Sequence, residues 1–242
     1  MSFSPPISVP SDALTTLRGR GYAVLDRAGL SELVAIPAAT MDLWRPTWDD
    51  LPADGYLRDG GRYRSRRHSC FVVDGDTVTP VPHRAHWQPV EYNALHGGLE
   101  RWFEPMPPAV VSRPEWPQLL SRLAALGSAL KGAQPWYVES HQFRIDTTDG
   151  IGRPTPEGAH RDGVDFVVVL LVGRQGIKGG ETRVFEAAGP NGIRFTLTEP
   201  WSALLLDDER VIHESTPIQP VDGQGHRDTL VLTFRAKGFQ GP

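Results

Sequence analysis

Residues 159–172 read AHRDGVDFVVVLLV, a His-x-Asp pair that runs into a continuous apolar stretch. A short, Val-rich apolar run with Gly and charged residues before it reads as a buried strand. In an extended chain, residues i and i+2 point to the same face about 7 Å apart, so the His160 imidazole and the Asp162 carboxylate can converge on one ion. The segments around this pair have the same texture. WYVESHQFRI (136–145), TRVFEA (182–187), IRFTLT (193–198), SALLLD (202–207), RVIHES (210–215) and TLVLTFRA (229–236) are short apolar or alternating runs set off by Gly, Pro, Asn or Asp. Seven or eight strands at such spacing suggest a sandwich or barrel rather than alternating β and α units.

The first half of the chain is different. Ser11 and Asp12 open a helix through about Arg18 that Gly19 and Gly21 end, and YAVLD (22–26) follows as a short strand. A second helix is expected over about Leu30 to Leu43, then a loop over 45–62, then a hairpin of CFVV and DTVTPV about the turn Asp74-Gly75. From Trp116 to Lys131, Leu119, Leu120, Leu123, Leu126 and Leu130 recur at helical spacing, so this helix should lay an apolar stripe on a sheet. The helical third has too little apolar material for a core of its own. The expectation is therefore one domain over 1–242, α+β but mostly β, helix-rich over 1–132 and β-rich over 133–242, with the helices packed on one sheet.

Composition narrows the function classes. The 242 residues hold 25 Gly and 22 Pro, which fits many turns, and no apolar stretch approaches the ~18 residues of a membrane span. The one cysteine, Cys70, can form no intramolecular disulfide, and MSFSPPISVPSD lacks the basic start and apolar core of a signal peptide, so a cytoplasmic location is expected. A net charge of -4 argues against general nucleic-acid binding. The basic run RYRSRRH (62–68) reads as a solvated strand face, with contact to phosphate or an acidic substrate as the alternative.

His213 lies 53 positions after His160, three strands on, where a curled sheet can return it beside the His-x-Asp pair. Two histidines and one carboxylate on one face of a metal leave positions open and are associated with non-haem Fe(II) oxygen chemistry. His83, His86 and His96 have no carboxylate at ligand spacing within a strand, and His226, next to Arg227, faces the opposite side; these four, with His68, are left outside the metal site. Arg227 and Thr229 share a strand face and together can clamp a carboxylate, with Arg235 on the same nominal face as the competing anchor.

H-x-D at 160–162, GGET at 179–182, the distal His213 and R-x-T at 227–229 resemble the iron(II)/2-oxoglutarate dioxygenase superfamily. EYNALHGGLERWFEP (91–105), HQFRI (141–145), HRDGVDFV (160–167) and HESTPI (213–218) resemble more closely the bacterial 2OG-Fe dioxygenase group, which includes isoleucine dioxygenase-like hydroxylases of free aliphatic L-amino acids. The likeness runs from about Arg62 to Arg235. It implies a double-stranded β-helix, or jelly roll, in which His160, Asp162 and His213 hold Fe(II) and Arg227 with Thr229 binds the far carboxylate of 2-oxoglutarate. It further implies that O2 and 2-oxoglutarate are consumed to give succinate and CO2 while an unactivated C–H bond of a small molecule is hydroxylated. Asp162 separates the chain from related halogenases, which carry a small residue in that place.

A free amino acid needs a cationic partner for its carboxylate and an anionic one for its ammonium. In HQFRI, one polar pair, Gln142 with Arg144 or His141 with Phe143, should look into the barrel, and Arg144 is the first choice for the carboxylate. Asp165 can meet an ammonium or cap a turn. Tyr92 and Asn93 stand on a loop able to close over the pocket. Two other readings remain: the same superfamily acting on a protein side chain or nucleic acid, and a catalytically silent jelly-roll binding protein in stress or biofilm signalling. The sequence leaves the oligomeric state open.

Overall fold

Period-two alternation runs through the central strands and decides which residues face the helices and which face the site. The computed structural model describes residues 3–93 and 95–242. Its strands are β1 (Tyr22–Leu25), β2 (Arg64–Asp74), β3 (Thr77–Pro80), β4 (Trp136–Asp146), β5 (Phe166–Gln175), β6 (Ile177–Gly179), β7 (Thr182–Glu186), β8 (Gly192–Phe195), β9 (Ala203–Asp207), β10 (Val211–Ser215), β11 (Ile218–Pro220) and β12 (His226–Arg235). The helices are α1 (Ala13–Arg20), α2 (Arg27–Val34), α3 (Ala38–Asp42), α4 (Pro108–Val111) and α5 (Glu115–Lys131).

Seven strands form one antiparallel sheet in the order β1-β9-β5-β12-β4-β2-β3. Facing it are the smaller antiparallel sheets β10-β7-β8 and β11-β6, so the architecture is the mostly-β jelly roll that the sequence implies. Two isolated bridges, Gly152 with Ile218 and His160 with His213, tie the segment between β4 and β5 to the minor sheets.

The alternation separates two cores. Val168, Leu170 and Val172 on β5, Leu230, Leu232 and Phe234 on β12, and Trp136 and Val138 on β4 pack outward against α5 and its neighbours. Val167 and Leu171 on β5 with Leu204 and Leu206 on β9 pack inward on Val184, Phe195 and Val211. Helix α5 buries Trp116, Leu119, Leu120, Leu123 and Ala124 at the spacing read from the sequence. Gly127 lets it lie close: a Cβ there would sit 3.4 Å from both Phe166 and Trp136.

Two expectations need correction. The helix expected over Leu30 to Leu43 is broken into α2 and α3, because Ala35 ends α2 in the left-handed region (φ 54) and Pro37, which has no N–H and restricts the residue before it, can only begin the next helix. The basic run at 62–68 is not a solvated face. Arg64, Arg66 and His68 are buried on the inward face of β2, whereas Arg67 points the other way to Glu104. Among the described residues no helix is long and apolar enough to cross a membrane.

Since α5 is the main cover on the outer face, replacing the fully buried Leu123 with Ala should destabilise the protein by about 2–5 kcal/mol, the cost of the lost transfer energy plus the cavity, read from urea unfolding.

Candidate metal centre and pocket

The chain reaches the candidate metal centre from two directions. After the turn at Gly158, His160 and the backbone of His213 exchange hydrogen bonds (His160 N–H to His213 O, 3.0 Å; His213 N–H to His160 O, 2.9 Å), which sets the two imidazoles side by side with centroids 4.7 Å apart. His160 Nδ1 lies 3.0 Å from the Gly158 carbonyl and donates to it, leaving the Nε2 lone pair free. Asp162 stands between the two rings: Oδ1 is 3.8 Å from His160 Nε2 and Oδ2 is 3.8 Å from His213 Nε2. These separations exceed hydrogen-bond length and leave room for an ion. Burial, with His160 nearby, holds the His213 pKa well below its ordinary value, so its imidazole is neutral, the form that ligates metal. At His160 burial works in the same direction, but the Asp162 and Glu157 carboxylates outweigh it and raise the pKa.

The turn that carries Asp162 is clamped on both sides. The buried Asp208 carboxylate accepts the backbone N–H groups of Asp162 (3.0 Å), Gly163 (2.8 Å) and Val164 (3.1 Å), while Gln240 Nε2 donates to the carbonyls of Asp162 (3.0 Å) and Gly163 (2.9 Å). Gly163 is in the left-handed region (φ 74), and a Cβ there would meet the Tyr92 ring at 2.3 Å. Gln88 Nε2 approaches Asp162 Oδ1 at 3.4 Å, and its own Oε1 accepts from Asn93 (3.1 Å) and Arg101 (3.0 Å). Neither Asp208 nor Gln240 was singled out from the sequence. One of three consecutive acids in DDER (207–210) and a glutamine near the end of the sequence give no periodic signal.

The triad opens into a pocket whose walls carry charge. Arg227 and Thr229 line it from β12, and Arg227 is 5% exposed. Among the described residues no acceptor lies within hydrogen-bond or ion-pair distance of the Arg227 guanidinium; burial and the neighbouring Arg174 push its pKa down to about 10, so it stays charged at neutral pH. An unpaired buried charge costs several kcal/mol, and an anionic ligand would offset that cost. Arg235, the competing anchor, bonds the Gly238 carbonyl and lines a separate cavity.

Arg64 and Arg66 line the same pocket from β2, separated from Arg227 and Thr229 by β4 within one sheet, and Arg101 lines it from the segment before α4. Arg64 Nε pairs with Asp54 at 2.7 Å, and Arg66 Nη1 lies 3.9 Å from the same carboxylate. Arg66 stacks between Phe103 (3.9 Å) and Phe143 (4.3 Å). Arg101 has Gln88 as its side-chain partner and no carboxylate within ion-pair distance among the described residues, and burial, with Arg64 nearby, brings its pKa down to about 10. Glu139, His141, His86 and His68 form a second buried cluster, apart from the His160, Asp162 and His213 group, in which His68 and His86 meet a carboxylate supplied by another segment of the chain, β4. Its signal was present in the sequence, because Glu139 and His141 have the same i, i+2 spacing as His160 and Asp162.

The residues chosen for the substrate fare unevenly. Asn93 lines the pocket. Arg144 does not: it pairs with Asp228 (2.7 Å) and Asp49 (2.9 Å) on the helical side of the sheet, where Gln142 also bonds Thr47 (2.8 Å). The register puts His141 and Phe143 inward instead. Asp165 accepts the Ala236 N–H (2.9 Å), the capping role, and with Tyr92 lines the separate cavity behind the turn.

A jelly roll carrying two histidines and an aspartate beside an unpaired arginine defines an oxygenase class, and the chain belongs to the 2OG-Fe dioxygenase family, whose model matches residues 45–233. It is therefore an Fe(II)/2-oxoglutarate-dependent dioxygenase, of a family that uses Fe(II), 2-oxoglutarate and O2. Among solved structures it is similar to a bsmA homolog from Methylobium petroleophilum PM1 (53% identity over 99% of this chain and 98% of that one, TM-score 0.93). It is also similar in fold to IDO from Bacillus thuringiensis (16% identity, 94% and 99% covered, TM-score 0.75) and to the Fe(II)/(alpha)ketoglutarate-dependent dioxygenase TqaL (17% identity, 93% and 86% covered, TM-score 0.68). None of the curated proteins matches.

Because Asp208 holds three consecutive N–H groups at the metal turn, Asp208→Ala should weaken Fe(II) binding by about 10–100-fold, measured by anaerobic calorimetric titration, with the fold retained by circular dichroism.

Proposed function

We propose that the protein hydroxylates a free aliphatic L-amino acid, with His160, Asp162 and His213 as the ligands of Fe(II) and with Arg227 and Thr229 holding the far carboxylate of 2-oxoglutarate. The observation that carries this reading is the pair of buried pocket-lining guanidinium groups without a carboxylate partner among the described residues, Arg227 on β12 and Arg101 before α4. Two such cations call for two anions. One is the cosubstrate, and the other is a carboxylate on the substrate, received by Arg101 with Arg66.

The donor set fits ferrous iron: two neutral-capable imidazole Nε2 atoms and one carboxylate on one face, with the other face open to the pocket. Bound Fe(II) supplies oxygen activation coupled to the decarboxylation of 2-oxoglutarate to succinate and CO2, with one oxygen atom delivered to a C–H bond. The chain's own residues do the positioning. Arg227 fixes the cosubstrate by a two-pronged contact that a guanidinium can make and an ammonium cannot. Arg66, immobilised between two phenyl rings, presents a fixed edge to the substrate carboxylate. Phe143, Ile145, Val169 and Val231 supply an apolar surface for an aliphatic side chain and exclude water from the reacting carbon.

The resemblance of the segments 91–105, 141–145, 160–167 and 213–218 to isoleucine dioxygenase-like hydroxylases supports the amino-acid class, and the burial of Arg64 and Arg66 speaks against their use on a nucleic-acid surface. A cytoplasmic setting, expected from the unpaired Cys70, supplies a reducing medium for Fe(II).

Anaerobic loading with Fe(II) and 2-oxoglutarate, then air and a panel of L-amino acids, should yield a product heavier by one oxygen in step with succinate. Asp162→Ala should abolish both. Arg227→Ala should raise the dissociation constant for 2-oxoglutarate by at least about 30-fold, equivalent to about 2 kcal/mol, measured by equilibrium binding. Succinate without any oxidised amino acid would retain the iron site and reject the substrate.

A further inference from the structure

The cluster of His68, His86, Glu139 and His141 has a role that the metal centre does not absorb. One donor atom from each lies within 4.8 Å of the others, and the set is buried, with His86, Glu139 and His141 lining the pocket and His68 behind them. Its geometry is not that of an ion site. At the triad the carboxylate oxygens stand 3.8 Å from the imidazole nitrogens. Here His68 Nε2 and His86 Nδ1 lie 2.8 and 2.6 Å from one oxygen, Oε2 of Glu139. Two ligand atoms about 2.0–2.1 Å from a shared tetrahedral ion would stand about 3.3 Å apart, so these closer contacts are hydrogen bonds. His141 is turned away from ligation by its neighbour. Arg66 Nη2 lies 2.8 Å from His141 Nδ1 and can only donate, so the His141 proton resides on Nε2.

Glu139 is thus a carboxylate gripped at one oxygen by two imidazole N–H groups. Burial holds both of those histidines below their ordinary pKa, His86 at about 3, and they are neutral. Burial acts to raise the Glu139 pKa, but the surrounding His86 and His68 outweigh it and keep the group ionised. No Lys or Arg lies within ion-pair distance of it among the described residues; its close partners are the histidines. Oε1 has no hydrogen-bond partner among the described residues, and the residue faces the pocket that holds Arg66 and Arg101. Asp162 cannot serve the same purpose, being committed to the ion, and Glu157 Oε1 lies only 3.6 Å from His160 Nε2.

We infer that Glu139 is the receptor for a substrate ammonium group, with Oε1 as the acceptor and with His68 and His86 as positioning residues that hold the carboxylate toward the pocket. The inference rests on the amino-acid reading above and assigns the second pole of the zwitterion: carboxylate on Arg101 and Arg66, ammonium on Glu139. An N-acylated or des-amino analogue of the same substrate would meet a buried carboxylate with no cation to pair it.

The test is anaerobic calorimetry on the enzyme loaded with Fe(II) and 2-oxoglutarate. The titrants are a panel of L-amino acids, the N-acetyl and des-amino analogues of the tightest binder, and simple alkylamines. The parent should prefer the free amino acid over either analogue by about 30-fold or more, and Glu139→Gln should reduce that ratio to within about 3-fold while 2-oxoglutarate binds as in the parent. Should Glu139→Gln not fold, the parent's own ratio and a reduced ratio in His86→Gln carry the test. Equal binding of all three compounds by the parent, or an unchanged ratio in Glu139→Gln, would overturn the inference. So would a second equivalent of metal in the parent that Glu139→Gln loses. Alkylamines that bind the parent and not Glu139→Gln, with no amino acid binding, would defeat the amino-acid reading and leave the ammonium site standing.

Discussion

Two backbone hydrogen bonds, exchanged between His160 and His213, hold the site together. They join segments 53 residues apart in sequence and fix the spacing of two imidazoles. Asp208 and Gln240 clamp the turn that follows His160, and the minor strands bring His213 back beside it. A triad set by backbone pairing and by caps, rather than by side-chain packing alone, can keep its carboxylate 3.8 Å from both rings without collapsing into hydrogen bonds.

The pocket beyond the bridge is built from charges that lack partners of their own. Arg227, Arg101 and Glu139 are each buried and each without an opposite charge at ion-pair distance among the described residues. Each costs several kcal/mol in the unliganded protein. Proteins tolerate such a cost where a ligand removes it, so cosubstrate and substrate should both stabilise the fold by mass action. The same arrangement gives selectivity, because a molecule that leaves one of these groups unpaired loses the energy of that pairing. Neutral imidazoles around Glu139 and phenyl rings around Arg66 hold the charged groups rigid without neutralising them.

Much of this was legible in the sequence where period two operates within one strand. Arg227 and Thr229 fall on a common face of β12 for that reason, the helical spacing of Leu119, Leu120 and Leu123 located α5, and the His-x-Asp pair was found although it lies on an isolated bridge and the turn after it rather than inside a strand. What was hidden depends on which face turns inward and on contacts between strands. His141 and Phe143 look into the barrel while Gln142 and Arg144 meet Thr47 and Asp49 on the other side, a parity that the helical cover decides and the strand itself does not. Arg64 and Arg66 looked like a solvated face because their compensating carboxylate, Asp54, comes from the loop before β2. The cluster on Glu139 was missed since its histidines reach it from β2 and from the chain after β3.

Arg227 and Arg101, neither with a carboxylate partner among the described residues, should receive different carboxylates. A crystal structure grown anaerobically with Fe(II) and 2-oxoglutarate tests it most directly. The account predicts iron on His160, Asp162 and His213, with the far carboxylate of 2-oxoglutarate on Arg227 and the wall of Arg66 and Arg101 left free for the substrate. Density for 2-oxoglutarate on Arg66 and Arg101, with Arg227 still unpaired, would contradict it.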